Sequence, residues 1–156
     1  MKKFVIYFLL VLFLPTKLLA QTYTVGTSGA DYPTLNEAFF DINNGNIQGV
    51  LVLQIIDNIT ESTTAELFES GNGGLSNYTS VTIYPTGSGF TINGPLDAPL
   101  ISLNGAVNVT IDGRVNATGS AKDLIITNES TGTSASTIQF INDAANNIAI
   151  DTARVV

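Results

Sequence analysis

Two stretches decide the fold: Asn108-Val109-Thr110-Ile111-Asp112 and Asn147-Ile148-Ala149-Ile150-Asp151. Both place an apolar residue, a small residue and Ile in succession, with Asn before and Asp after. Working outward, Val81-Thr82-Ile83-Tyr84 is an earlier copy. Between the copies lie Phe90-Thr91-Ile92-Asn93, Ile101-Ser102-Leu103-Asn104, Leu124-Ile125-Ile126 and Ile138-Gln139-Phe140. Every third segment is therefore the same kind of segment, at steps of 28 and 39 residues. A chain that makes three short strands and returns to the same side is winding a solenoid coil. Residues 113–123 and 129–136 read as polar loops that lengthen the second step. Val109 and Ile111 then point inward. Thr82, Thr110 and Ala149 stack outward on one sheet, and Asn108 and Asn147 stack at one corner. The expectation is an all-β parallel β-helix. A β-sandwich is the rival, since it too shows short alternating strands with frequent turns. Nothing in a sandwich calls for the third-segment recurrence.

Upstream, Tyr23-Thr24-Val25 reads as a first strand, and Thr34 and Glu37 stand at capping-box spacing. Leu35, Ala38, Phe39 and Ile42 form an i, i+3, i+4, i+7 stripe, so an amphipathic helix is expected there. Asn43-Asn44-Gly45 should end it, because Asn and Gly tolerate the left-handed conformation. The apolar run Gly49–Ile56 suits a strand buried on both faces. Residues 57–76 read as polar and irregular.

The first twenty residues have the layout of a secretory leader. Lys2 and Lys3 precede an unbroken apolar run from Phe4 to Leu14, and Leu18-Leu19-Ala20 offers a small residue before a cut between Ala20 and Gln21. The run is too short to span a bilayer, which takes roughly 20 apolar residues. The expected organisation is a leader at 1–20, a strand and capping helix at 21–48, and the first coils of a β-helix at 49–156. Ile148–Val156 reads as a new strand with nothing to cover it. The expectation is a chain continuing beyond residue 156, or self-association at that strand edge. Secretion or display at the cell surface follows, with no membrane span in the mature chain.

Without the leader, only Arg114, Lys122 and Arg154 face 13 acidic residues, so 3 − 13 gives a net charge of −10. Such a chain repels nucleic acid and anionic lipid. It has no His and no Cys. That removes a Ser-His-Asp or Cys-His nucleophile and the ordinary zinc ligands. Glycosidase chemistry needs two carboxylates on one face, and the stacked outward row Thr82, Thr110, Ala149 has none. Asp112 and Arg114 form the one acid–base neighbourhood of note, and as a turn Asp with a solvated Arg they read as structural. Ca²⁺ could use oxygen ligands at Asp57-Asn58, at Asp112 with Asn116, or at Asn142-Asp143, but none has a calcium-loop spacing. No other cofactor is implied. Trp is absent, and Tyr32, Tyr78 and Tyr84 are scattered.

Gly29-Ala30-Asp31-Tyr32-Pro33-Thr34-Leu35-Asn36-Glu37-Ala38-Phe39 resembles the opening of right-handed parallel β-helix proteins of the pectate-lyase-like superfamily, pectin methylesterases among them. In that superfamily the stretch forms a helix capping the first coil and carries no catalytic residue. Val109-Thr110-Ile111-Asp112-Gly113 is similar to its coil strands. With the leader and Gln21-Thr22, the chain also resembles long surface proteins of the Bacteroidetes, whose C-terminal sorting domain is not within these 156 residues. The resemblance implies fold more than activity. The lack of a catalytic constellation, the small polar outer face and the expected continuation point to a non-enzymatic adhesin-like or structural surface module meeting extracellular polysaccharide or cell-surface glycan. Its alternative is the N-terminal part of a polysaccharide lyase or pectin-esterase-like enzyme with its site further along.

Overall fold

The computed structural model describes residues 19–71, 74–142, 148–151 and 154–155. Alternating apolar residues give short strands with one inward face, and Gly or Asn turns them at the corners. The chain order is β1 (Gln21–Val25), α1 (Leu35–Asn43), β2 (Gly49–Ile55), β3 (Ile59–Thr60), β4 (Ala65–Phe68), β5 (Tyr78–Pro85), β6 (Thr91–Gly94) and β7 (Pro99–Asn104). It continues through β8 (Val109–Asp112), β9 (Ile125–Asn128), β10 (Ser136–Ile141), β11 (Ile148–Asp151) and β12 (Arg154–Val155).

Among the described residues the pairings between these strands are all parallel, and they form three sheets. Face one stacks β1-β2-β5-β8-β11, face two β3-β6-β9-β12 and face three β4-β7-β10. Each coil visits the faces in that order. The fold is a right-handed parallel β-solenoid with one N-terminal helix, not a sandwich.

Register follows the sequence repeats. Val81 pairs with Val109 and Val109 with Ile148; Thr82 pairs with Thr110 and Thr110 with Ala149. Inward rows are aliphatic on every face: Leu51-Val81-Val109 on the first, Ile59-Ile92-Ile126 on the second, Leu67-Leu103 on the third, all buried. Each such side chain contributes about 1.5–3 kcal/mol of transfer free energy. With no disulfide, these rows and the ladders between them hold the coils together.

Two expectations are corrected. Residues 57–76 are not all loop: β3 and β4 lie within them and complete the first coil. β2 is not buried on both faces. Leu51, Leu53 and Ile55 are inside, whereas Val50, Val52 and Gln54 are partly exposed. A solenoid sheet has its core on one side only, and β-branched residues suit the pleated outer side as well.

α1 occupies the place of a third-face strand in the layer before the first coil. Its stripe of Leu35, Ala38, Phe39 and Ile42 is fully buried, as the periodicity predicts. A helix cannot extend a sheet with its own backbone, and two asparagines on one helical face do so instead. Asn36 Nδ2 donates to Thr64 O at 2.7 Å, and Asn43 Nδ2 donates to Glu66 O at 2.8 Å. Asn43 Oδ1 accepts from Phe68 N–H at 2.9 Å. The edge of β4 is thereby satisfied. At the helix end Gly45 adopts φ +72°, the left-handed stop that Asn43-Asn44-Gly45 implied.

Candidate functional site

The outward row of face one reads Thr22, Val52, Thr82, Thr110 and Ala149 in consecutive layers. Its surface holds an open depression of about 500 Å³ lined by Thr79, Ser80, Thr82, Asn108, Thr110 and Ala149. Among the described residues, hydroxyls and one amide line it, without a titratable group. Asn108 sits at φ 57°, which Asn tolerates better than most residues, and its Nδ2 donates to Thr79 O at 3.2 Å in the preceding coil. This is a hydrogen bond along the axis at the expected corner. Asn147 lies outside the described residues, so the asparagine stack itself is not seen.

Asp112 and Arg114 do meet. Arg114 Nε donates to Asp112 Oδ1 at 2.8 Å and Nη2 to Oδ2 at 2.5 Å, and Arg114 N–H donates to Oδ1 at 3.0 Å. The aspartate is buried, so the pair is more than a turn Asp beside a solvated Arg. It is a two-point clamp that neutralises a carboxylate closing β8. Held this way, Asp112 faces a cation of the protein itself.

The other calcium candidates are also engaged. Asp57 accepts a short hydrogen bond from the Thr27 hydroxyl and another from Asn58 N–H at 2.7 Å. The Thr27 bond, then the Asn58 bond, hold its carboxyl below the usual range. Asn142 Nδ2 donates to Asn104 Oδ1 at 2.7 Å, while Asp143 is outside the described residues. Among the described residues no three acidic side chains gather as a metal cage would require.

The tyrosines serve structure. Tyr32 donates to Asp41 Oδ2 at 2.9 Å, and burial followed by that contact raises its pKa. Tyr78 donates to Phe68 O, and burial pushes it up to about 12. Tyr84 accepts from Gln54 Nε2 across adjacent strands at 2.8 Å.

Thr34 and Glu37 form half of the expected capping box. Thr34 Oγ1 accepts from Glu37 N–H at 3.3 Å, and Glu37 makes no return bond to Thr34 N–H. The remaining helix N–H groups are met by a residue that the sequence did not single out. Glu61, fully buried, accepts from Leu35 N–H at 2.7 Å through Oε1 and from Asn36 N–H at 3.2 Å through Oε2. Burial raises its pKa against the pull of those two bonds. A carboxylate at a helix N-terminus is electrostatically favoured, so Glu61 ties the cap to the first coil.

Asn128 is a second such residue. Its amide donates to Leu96 O, Ala98 O and Ser136 O at 2.8–3.0 Å and accepts from Leu96 and Ser130 N–H, both at 3.1 Å. It binds together the turns from face two to face three in successive coils. Only its side-chain type hinted at a turn role.

Among the described residues no helix is long and apolar enough to cross a membrane. Comparison with protein-family models, curated proteins and solved structures returned no match.

Proposed function

We propose that this chain is an exported, non-enzymatic β-solenoid module of an adhesin-like or structural surface protein. The observation that carries the reading is the outward row of face one. Over five layers it presents Thr, Val, Thr, Thr and Ala, a neutral strip of small side chains suited to contact. The Asp112–Arg114 pair beside it is spent on itself.

Export is supported by the apolar leader and by where the fold begins. Ala20 is exposed and Gln21 opens β1, so a cut between them leaves the first strand whole.

The test is incubation of the exported protein with acidic polysaccharides such as polygalacturonate, followed by measurement of new reducing ends and unsaturated products. No chain shortening is expected. Enzyme-dependent depolymerisation would overturn the proposal.

A further inference from the structure

Where α1 meets face three, the surface carries a second feature. Phe40 on α1 is 63% exposed and Phe68 at the end of β4 is 44% exposed. Between them lies a cleft of about 310 Å³ that also includes Asn43 and Glu66. A second cleft, of about 290 Å³, has Phe68 as its shared wall and continues past Glu69, Asn104 and Asn142. Together they make one strip along the solenoid axis. It runs from the helix across β4 and β7 to the end of β10. Its length is about 20 Å, taking ~4.8 Å per strand step and ~10 Å from helix to strand.

The polar groups along the strip are fixed by one another. Asn43 is held by Glu66 O and Phe68 N–H, Asn104 Nδ2 donates to Glu66 Oε1 at 2.9 Å, and Asn142 Nδ2 donates to Asn104 Oδ1. A relay of this kind lowers the entropy cost of ordering side chains around a ligand.

We propose that this strip binds a neutral, hydroxyl-rich polysaccharide chain. The inference rests on the surface-module reading and adds the site and the class of ligand. Among the described residues two carboxylates and no Lys or Arg line the strip, which with the mature charge of −10 disfavours polyanions. A docking helix would want a contiguous apolar patch of several hundred Å². Here the two rings are separate and amides, a hydroxyl and carboxylates lie around them. A sugar chain matches that alternation. Its C–H faces lie on the electron-rich ring faces, and its hydroxyls donate to carboxylate and accept from amide. The length admits several sugar units in line with the axis.

Native electrophoresis through gels containing laminarin, xyloglucan, galactomannan or polygalacturonate tests this with the exported chain. Retardation by at least one of the three neutral polymers, and not by polygalacturonate, is expected. Phe40→Ala and Phe68→Ala should each raise the dissociation constant about tenfold, the effect of losing one ring contact. Phe40→Tyr should retain binding, and Ser120→Ala, in the exposed loop between β8 and β9, should match the parent. Phe40 is mostly exposed, so its variants should keep the parent circular dichroism spectrum. Absence of retardation by every neutral polymer would overturn the site. So would retardation that both Ala variants keep, or a preference for polygalacturonate. Shortening of the polymer in the gel would instead overturn the non-enzymatic reading.

Discussion

Glu61 offers the sharpest check on how the cap is held. In Glu61→Ala, the buried Leu35 N–H loses a 2.7 Å bond and the half-buried Asn36 N–H loses one of 3.2 Å. A buried N–H left without a partner costs about 1–3 kcal/mol, and the weaker, wetter bond belongs at the low end. Removing a buried carboxylate returns part of this, since burial disfavours its charged form. The net loss should be about 1–3 kcal/mol, which for a chain of this length lowers Tm by on the order of 5–10 °C. Glu61→Gln should lose less, about 1 kcal/mol, because its oxygen still serves Leu35 while its NH₂ confronts Asn36 N–H. The pH profile adds an independent readout. Burial raises the Glu61 pKa above the usual glutamate value, so the folded chain holds that proton more tightly than the unfolded one. The stability linked to it is full below the unfolded pKa and is lost as pH rises through the folded pKa. Asp31, held down first by the Thr24 N–H, and Asp57 act oppositely and in a lower window. Urea unfolding followed by circular dichroism, from pH 4 to 8, should show a falling contribution in the parent that Glu61→Gln lacks. An Ala variant within about 0.5 kcal/mol of the parent, the range of an ordinary surface change, would refute the argument. So would a Gln variant with the parent's pH slope.

Three further substitutions probe the coils. Gly94→Ala would set a Cβ 2.5 Å from Glu61 O and 2.8 Å from Leu100 Cδ1. Overpacking against backbone should cost about 1–3 kcal/mol, read from the urea midpoint. Asn43→Ala removes the partners of Glu66 O and Phe68 N–H. A loss of about 2 kcal/mol is expected, with concentration-dependent association in light scattering as the freed β4 edge seeks a strand. Asn128→Ala breaks the amide that joins Leu96, Ala98 and Ser136. Faster amide exchange at Leu96 and Ser130 than at β8 would show the turn loosening as a local unit.

The parts of this fold legible in the sequence are those where a period runs long enough to be counted. β5, β8 and β11 repeat apolar-x-apolar because each inward row of face one needs an aliphatic side chain in every layer. α1 shows its 3.6-residue stripe for the same reason. β3 has only two residues, too few to display alternation, and β4 hides Ala65 and Leu67 among polar neighbours. Val50 and Val52 misled in the other direction, since their apolar character says nothing about which side of the sheet they take. At the site, Asp112 and Arg114 are two residues apart and could be paired on spacing alone. Glu61 and Asn128 could not. Leu35 lies 26 residues from Glu61 and Leu96 lies 32 from Asn128, and only the coil brings these partners together.

The helical cap also explains why the ligand-like chemistry gathers where it does. Asn36 and Asn43 are seven residues apart, so along the helix they stand about 10.5 Å apart on one face. Along β4, from Thr64 to Leu67, where the two bonds of Asn43 are centred, three strand residues cover about 10 Å. The match lets two amides replace a strand's ladder. It also sets α1 close against face three, which leaves Phe40 above the strand and brings Phe68 and Glu66 beside it. A strand in that layer would have paired flush with β4 and left a plain sheet. Substituting a helix makes a step, and the step is the wall of the groove. In this solenoid the element that closes the end of the core is therefore the one that gives the outer surface a recess.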